Sequence, residues 1–295
     1  MHRHLLLLLA ASVCTALVAA EPAPAPALAP EPEPIEPPPL WSSDGKAGAF
    51  LSSIITKDTT TSRDPSIAGA NETLAYRLGL EAGLDYRAGT WSFDQDFLGK
   101  YGRTRDEGEE WIEDTDEVRY DAVGRYAVHV PHHLYVRGGW ESVFTGPEPE
   151  EYPFEPGLLK AGFGYALLLE NLLPEKDKLE LRVGPALRKR YGRILTAYEK
   201  ETETGLEGFF RYERTQNALL RYFVQYEAFA EFEDFAHVTH LVTAGLTAQL
   251  ATYLTAELGL RAYYESEPED APAGSVGYDE WGVRQDTLLG LTYTW

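Results

Sequence analysis

Cysteine is almost absent from this chain, because Cys14 is the only one and it lies near the N-terminus. A disulfide framework and thiol chemistry are therefore excluded for the rest of the sequence. Beyond Ala20 the chain also has no apolar run of about 18 residues, the length that a membrane-spanning helix needs. Basic residues are scarce too: 26 lysines and arginines stand against 47 acidic residues, for a net charge of -21. We therefore expect no nucleic-acid partner.

The N-terminus has the composition of an export signal followed by a spacer. Residues 1–20 combine a basic start, a short leucine core and small residues, which predicts a signal peptide cleaved after Ala20. A lipoprotein signal that ends at Cys14 is the alternative. Residues 21–40 are rich in proline and predict a disordered periplasmic linker, either a simple tether or an arm that touches the cell wall. The predicted folded domain is residues 41–295.

Alternation with a period of two residues dominates the folded domain. From Leu74 to Tyr86 every second residue is apolar or aromatic, and the residues between them are polar, charged or glycine. This period is that of a β-strand with one apolar face, not that of a helix. The pattern recurs along the chain and predicts twelve strands. They cover approximately residues 45–56, 73–87, 90–103, 116–129, 132–145, 157–170, 178–191, 203–214, 217–232, 237–250, 253–265 and 283–295.

The last predicted strand ends the chain with an apolar face. Leu291, Tyr293 and Trp295 alternate with threonines, so an aromatic residue stands at the C-terminus. In a soluble protein such a strand leaves an aggregation-prone edge, whereas closure of a barrel pairs the last strand with the first. Outer-membrane barrels commonly end in this way. We predict that these three residues are the signal that the barrel-assembly machinery reads.

The predicted connections alternate in length. Those after even-numbered strands are short, and most of those after odd-numbered strands are long and polar, with residues 233–236 as the exception. Short periplasmic turns and long outer loops are the asymmetry expected of a transmembrane barrel. The predicted fold class is therefore all-β: a closed antiparallel transmembrane β-barrel of about twelve strands, with a disordered proline-rich N-terminal tail. Its location would be the outer membrane, in contact with lipid.

Four short motifs carry a resemblance to a known family. They are G-F-G-Y at Gly162–Tyr165, L-R-V-G-P-A-L-R at Leu181–Arg188, F-R-Y-E at Phe210–Glu213, and Q-D-T-L-L-G-L-T-Y at Gln285–Tyr293. On these motifs the chain, from about residue 45 to its end, resembles the salt-induced outer-membrane protein family of bacteria. The resemblance implies an outer-membrane barrel of unsettled function and a link to salt or osmotic stress. It implies no catalytic residues.

Charges of both signs, in similar numbers, fall on the polar faces of the predicted strands. Two interpretations stay open: a salt-bridged interior that keeps a narrow barrel rigid, and a polar conducting path. About twelve strands is intermediate between a small barrel filled by side chains and an open porin. The predicted lumen charges are Arg77, Glu81, Asp94, Asp96, Arg119, Asp121, Arg125, Arg137, Glu141, Arg182, Arg221, Glu227, Arg261 and Asp286.

Catalytic and cofactor chemistry have little support in the sequence. Asp94 and Asp96 lie two residues apart on one strand face and could act as acid and base, but salt bridging is the favoured interpretation. His237 and His240 are three apart on a predicted strand and face opposite ways, so a shared metal is not expected. No hydrolase, zinc-protease or phosphate-loop motif is found. We therefore predict no enzyme activity and no cofactor.

Carboxylates concentrate in two of the predicted outer loops. Residues 106–116 hold most of them, and Glu148, Glu150 and Glu151 follow in the next loop. Such loops could bind Ca²⁺ or Mg²⁺, or bridge to lipid phosphates through these ions. A solvated acidic loop without a specific site is the alternative.

The sequence as a whole predicts an outer-membrane barrel of structural or narrow-pore type, with a role in envelope, osmotic or salt stress. Two alternatives stay open. One is an outer-membrane enzyme of the lipid-hydrolase type, and the other is a soluble secreted β-protein that binds lipid.

Overall fold

The structure is a computed structural model, and it describes residues 40–57, 74–104, 112–145, 152–170, 177–192, 202–217, 219–269, 271 and 277–295. The predicted signal peptide and all of the predicted linker except its last residue lie outside this part of the chain. Within the described residues, side chains are not considered at positions 52–57, 74, 112 and 114.

Twelve β-strands form the folded part of the chain. They are β1 (Trp41–Lys57), β2 (Leu74–Ala88), β3 (Trp91–Thr104), β4 (Ile112–His129), β5 (His132–Ser142), β6 (Gly157–Leu168), β7 (Asp177–Tyr191), β8 (Thr202–Asn217), β9 (Leu220–Glu231), β10 (Val238–Ala251), β11 (Leu254–Glu265) and β12 (Trp281–Thr294). Among the described residues there is no helix long and apolar enough to cross a membrane.

Each strand pairs with its two neighbours in the sequence, and β12 returns to pair antiparallel with β1. The closing ladder joins Lys46 to Thr294 at one end and Lys57 to Val283 at the other. Because the sheet closes on itself, no strand edge is left unpaired. The predicted closed antiparallel barrel of twelve strands is confirmed.

The alternation of residue types explains which side of the wall each side chain takes. On β2, Tyr76, Leu78 and Leu80 are exposed on the outside, whereas Arg77 between them is buried inside. On β12, Leu289 and Leu291 are exposed, and the intervening inward residues are small or polar. Side chains of successive strand residues point to opposite faces, so each strand contributes one apolar outer row and one largely polar inner row.

The two ends of the barrel differ, and we name them for their connections. At the turn end, residues 89–90 and 130–131 are tight turns, and both Trp41 and the C-terminus lie here. At the loop end, most connections are longer, and residues 232–237 between β9 and β10 are the predicted exception. Residues 105–111 at the loop end are also fewer than residues 169–176, which connect β6 to β7 at the turn end.

Several strand ends differ from the predicted bounds. Strand β1 begins at Trp41 rather than near residue 45, and β4 begins at Ile112 rather than near residue 116. The early residues of both strands are mostly polar and lack apolar alternation. Their backbones nevertheless continue the ladder, because Trp41 pairs with Tyr86 and Ile112 with Thr104.

Candidate functional site

The candidate site is the charged interior of the barrel. All the charges predicted for the lumen occupy inward positions of their strands, and most of them form ion pairs there. The predicted residues placed in this way are Arg77, Glu81, Asp94, Asp96, Arg119, Asp121, Arg125, Arg137, Glu141, Arg182, Arg221, Glu227, Arg261 and Asp286.

A group of charges near mid-height crosses the lumen, and we call it the central ion cluster: Asp121, Arg137, Lys160, Glu207 and Glu227. Arg137 on β5 donates from Nε to Asp121 on β4 at 2.9 Å and from Nη1 to Glu207 on β8 at 2.8 Å. Its Nη2 lies 3.8 Å from Glu227 on β9, and Lys160 on β6 lies 3.7 Å from the same carboxylate. Since β5 and β8 are three strands apart, these contacts run through the interior rather than along the wall.

Four members of this cluster are almost completely removed from solvent: Glu207 is 2%, Glu227 6%, Arg137 7% and Lys160 8% exposed. A buried charge is tolerated only when counter-charges and hydrogen bonds replace its water shell. The contacts of Arg137 supply these replacements, so each member depends on the others. The cluster therefore links strands from opposite sides of the interior at this level.

A second bridge lies on the turn-end side of the central ion cluster. Arg125 on β4 donates to Glu180 on β7 at 2.6 Å from Nη2 and at 3.1 Å from Nε. Its Nη1 bonds Asp94 on β3, and Arg87 lies 3.4 Å from the other oxygen of Asp94. This bridge also joins strands three apart.

Further pairs bridge the loop-end half. On β12, the Asp286 carboxylate accepts a hydrogen bond of 3.0 Å from Nε of Arg284. Its other oxygen lies 3.2 Å from Nη1 of Arg77 on β2. Arg284 also donates to the hydroxyl of Thr115 on β4 at 2.7 Å. Arg261 on β11 and Glu117 on β4 approach within 4.0 Å, although their strands lie five apart around the wall. The interior of this half is therefore spanned by side chains.

His237 forms a buried clasp at the loop end. Its Nδ1 lies 3.2 Å from Glu231 at the end of β9, and its Nε2 lies 3.0 Å from Glu265 at the end of β11. Burial alone would lower the pKa of the His237 imidazole, but the bonds to Glu265 and Glu231 outweigh burial and raise that pKa. His240, in contrast, stacks outside against Tyr226, so the two histidines take opposite sides, as predicted.

The aspartate pair on β3 differs from its favoured interpretation. Asp94 is salt-bridged, as expected, but in the described part of the chain Asp96 has no salt bridge. The cross-strand register places Asp96 directly opposite Asp121, and Asp85 directly opposite Asp94. Ion pairing is therefore the wrong interpretation for Asp96. Two arginines on this part of the wall pair with other aspartates, since Arg125 forms a salt bridge with Asp94 and Arg137 forms one with Asp121.

A cavity of about 200 Å³ lies in the turn-end half of the lumen. The four aspartates Asp85, Asp94, Asp96 and Asp121 line one side of it on β2 to β4, with Arg87 and Arg125 beside them. The other side, on β7 to β9, carries Lys178, Arg182, Arg211 and Arg221, with Glu180 and Glu213 beside them. Arg221 is 54% exposed on its side chain, so the cavity opens toward the turn end.

The sequence-based candidates missed several buried acids of the lumen, namely Glu203, Glu207 and Glu265. Strand parity could have found Glu207 and Glu203, because they share the inward face of β8 with Arg211. Glu265 likewise shares the inward face of β11 with Arg261. Glu203 and Glu265 lie toward the loop end, where the alternation is harder to separate from the charged loops.

The three residues of the predicted assembly signal lie on the outer face. Leu291 is 65% exposed and Trp295 is 53% exposed, and Tyr293 stacks against Trp295. The backbone of Trp295 exchanges hydrogen bonds of 3.1 and 3.2 Å with Gly45 on β1. The indole covers this glycine so closely that a Cβ at Gly45 would overlap it. The terminal residue is therefore part of the closing seam.

Most of the predicted cation-binding carboxylates, including Glu148, Glu150 and Glu151, lie outside the described residues. Of those that are described, Asp116 accepts the backbone N–H groups of Phe144 at 2.6 Å and Thr145 at 2.7 Å. Throughout the described ranges no group of three or more His, Cys, Asp or Glu side chains is arranged to hold a metal ion.

Comparison with known proteins gives a family match and several similar folds. Residues 68–295 match the family described as "Protein of unknown function, DUF481". Comparison with curated proteins finds no match. Among solved structures, the chain is similar to the COG4313 outer membrane channel from Pseudomonas putida F1, with 10% identity, a TM-score of 0.42, and 88% of this chain and 100% of that chain covered. It is also similar to the NanC porin, with 8% identity, a TM-score of 0.41, and 82% and 98% covered.

Proposed function

The chain belongs to the DUF481 family, whose function is unknown, and from its geometry we propose that it is an outer-membrane β-barrel of structural type with an ion-paired lumen. The observation that carries this proposal is the central ion cluster. Arg137 holds carboxylates from β4, β8 and β9 together across the interior. In this proposal the lumen charges stabilise the barrel and have no catalytic role.

The outer surface supports placement in a membrane. Large apolar side chains such as Val136 (62% exposed) and Phe163 (61% exposed) stand next to each other on the outside of β5 and β6. A lipid bilayer would cover such rows, and closure leaves no unsatisfied strand edge within it.

Aromatic residues at both ends of the barrel support the same placement. At the turn end, Trp91 packs on Tyr126 with ring centroids 4.9 Å apart. At the loop end, Tyr264 packs on Trp281 at 5.4 Å, and His240 stacks on the same indole. Two aromatic belts at the depth of the lipid headgroups are typical of transmembrane barrels.

The connections support an orientation with the turn end in the periplasm. Short periplasmic turns and longer outer loops are the rule for these barrels. The proline-rich residues 21–40 would then extend into the periplasm after export by the predicted signal peptide. A role under salt or osmotic stress rests on the motif resemblance, and growth of a deletion strain with and without added salt tests it.

We expect the refolded barrel to show no steady conductance above the lipid baseline in a planar bilayer, because the central ion cluster closes the lumen. A double variant, Arg137→Ser with Glu207→Ser, removes one bridging pair without changing the net charge, and it should introduce open-channel steps. Heat-modifiable migration in a gel verifies that both proteins are folded. Steady conductance of the folded wild-type protein would instead make the barrel a narrow pore.

We also propose that the barrel-assembly machinery reads the C-terminal strand. Replacing Trp295 with aspartate should reduce assembly severalfold, because it removes the terminal aromatic and uncovers the seam at Gly45. The amount of heat-modifiable barrel in isolated outer membranes measures this. Leu206→Asp on the outer face of β8 is the control for an added charge away from the terminus. Equal assembly of the Trp295 variant and the wild-type protein would contradict the proposal.

A further inference from the structure

The lumen cavity of about 200 Å³ has an excess of acidic side chains on one wall and of basic side chains on the other. Asp85, Asp94, Asp96 and Asp121 line it from β2 to β4, together with Arg87 and Arg125. Lys178, Arg182, Arg211 and Arg221 line it from β7 to β9, together with Glu180 and Glu213. Some of these charges are neutralised within the wall, since Arg221 lies 2.8 Å from Glu213 and Arg125 bonds Asp94. The charged side chains that are not neutralised in this way determine which ligand the cavity can accept.

On the acidic wall, these side chains are Asp85 and Asp96. Neither of them forms a salt bridge with a basic side chain in the part of the chain that the structure describes. Each faces another carboxylate directly across its strand pair, Asp85 facing Asp94 and Asp96 facing Asp121. Like charges placed opposite each other destabilise a sheet. A cationic group bound between them would relieve this repulsion.

On the basic wall, Lys178 forms no salt bridge in the described part of the chain, and Arg182 has only one long contact to a carboxylate. Arg182 is only 5% exposed, yet its Nε and Nη1 atoms have no hydrogen-bond partner among the described residues. The nearest carboxylate oxygen, of Glu180, is 3.5 Å from Nε and is shared with Arg125. A buried donor without a partner is costly. The guanidinium of this cavity-lining residue therefore keeps two unsatisfied donors, which are buried just behind the cavity surface.

Two aromatic rings fix the position of this guanidinium. Its Cζ lies 3.8 Å from the centre of the Phe209 ring and 5.7 Å from that of Tyr135. Stacking on aromatic faces preorganises arginine, and its planar donors match the two oxygens of a carboxylate. The arrangement on this wall is suited to a carboxylate group.

We propose that the cavity binds a small zwitterion, with its carboxylate on Arg182 and its ammonium group between Asp96 and Asp85. A single ligand of this kind satisfies both unneutralised groups and leaves the net charge of the lumen unchanged. The volume is below the range of sites for drug-sized ligands and suits a short amino acid. Entry would be from the turn end, where Arg221 is exposed. The proposal goes beyond the structural role above and does not depend on whether the lumen conducts.

Calorimetric titration of the folded barrel in detergent micelles tests this site with 4-aminobutanoate as the probe. Butanoate and butylamine are the matched ligands that carry only one of the two charges. We expect saturable binding of 4-aminobutanoate, about tenfold tighter than that of either single-charge ligand. Arg182→Met and Asp96→Asn should each weaken it about tenfold, whereas Arg103→Met, on the outer face, should leave it unchanged.

Three outcomes would overturn the proposal. They are no binding of 4-aminobutanoate by the folded wild-type protein, equal binding of butanoate and 4-aminobutanoate, and unchanged binding in the Asp96→Asn variant. If the Arg182 variant fails to fold, Asp96→Asn provides the test, because Asp96 is exposed to the cavity and has no salt bridge to lose. Conductance of the wild-type barrel would contradict the proposed closed lumen and would leave this titration unaffected.

Discussion

Replacing Arg137 with methionine is expected to lower the free energy of unfolding by about 3–5 kcal/mol, the usual cost of removing one partner from a buried ion pair. Methionine fills similar space but leaves Glu207 without its counter-charge at a position that is 2% exposed. Glu227 loses less, because Lys160 remains 3.7 Å away. Urea titration of the barrel in lipid vesicles, followed by tryptophan fluorescence, measures the change.

Arg221→Met is the matched control for this prediction. Arg221 also pairs with a carboxylate, Glu213 at 2.8 Å, but its side chain is 54% exposed at the mouth of the lumen. Exposed pairs contribute at most about 1 kcal/mol. If the two variants lose similar stability, the central ion cluster is not the desolvated network that the geometry indicates.

A third variant separates the two reasons for a loss at Arg137. Combining Arg137→Met with Glu207→Gln removes the stranded charge together with its partner. Because most of the cost of breaking a buried pair is the charge left behind, the double variant should recover a large part of the loss. Strictly additive losses would show that Arg137 and Glu207 do not act as a pair.

How far the sequence predicts the fold depends on where each residue lies along a strand. Within the apolar band, alternation identified the twelve strands and their faces, as on β2 from Tyr76 to Tyr86. Beyond the band both faces are polar, so the early residues of β1 and β4 carried no such signal. Their backbone hydrogen bonds continue nevertheless, because a strand can extend beyond the apolar band that produces the alternating sequence pattern.

The ion pairs could not be predicted from the sequence in the same way. Parity assigns a charge to the lumen, but its partner depends on the tilt and stagger of the strands. Arg137 and Glu207 are 70 residues apart and meet only because β5 and β8 face each other across the closed wall. The same geometry leaves Asp96 unpaired although basic residues line the opposite wall.

The two halves of the lumen follow from how many charges find partners. Toward the loop end, Arg284, Asp286 and Thr115 join strands from both sides of the interior. Toward the turn end, Arg182 has two buried donors and Asp96 a carboxylate without a partner among the described residues, and a cavity lies between their strands. A barrel of this width can thus have cross-lumen ion pairs in one half and keep room for a small polar ligand in the other.

Replacing Val136 with arginine is expected to lower the free energy of unfolding in lipid by about 2–4 kcal/mol, the range for a basic residue facing lipid near the middle of the bilayer. Val136 is exposed on the outer face, near the middle of β5, with Phe163 beside it. In a soluble protein the same exposed position would tolerate arginine within about 0.5 kcal/mol. The size of the effect therefore distinguishes an outer-membrane barrel from a secreted β-protein, and urea titration in vesicles measures it.

Ser43→Arg is the control for depth in the bilayer. Ser43 is also exposed on the outer face, but it lies near the start of β1 at the turn end. Near the interface a basic residue costs about 0–1 kcal/mol, because its side chain reaches water and headgroups. A large loss of unfolding free energy in the Val136 variant and a small one in the Ser43 variant would show that the apolar band lies in the middle of the bilayer. Small losses at both sites would mean that the apolar rows of β5 and β6 do not face lipid, and the membrane placement would fail with them.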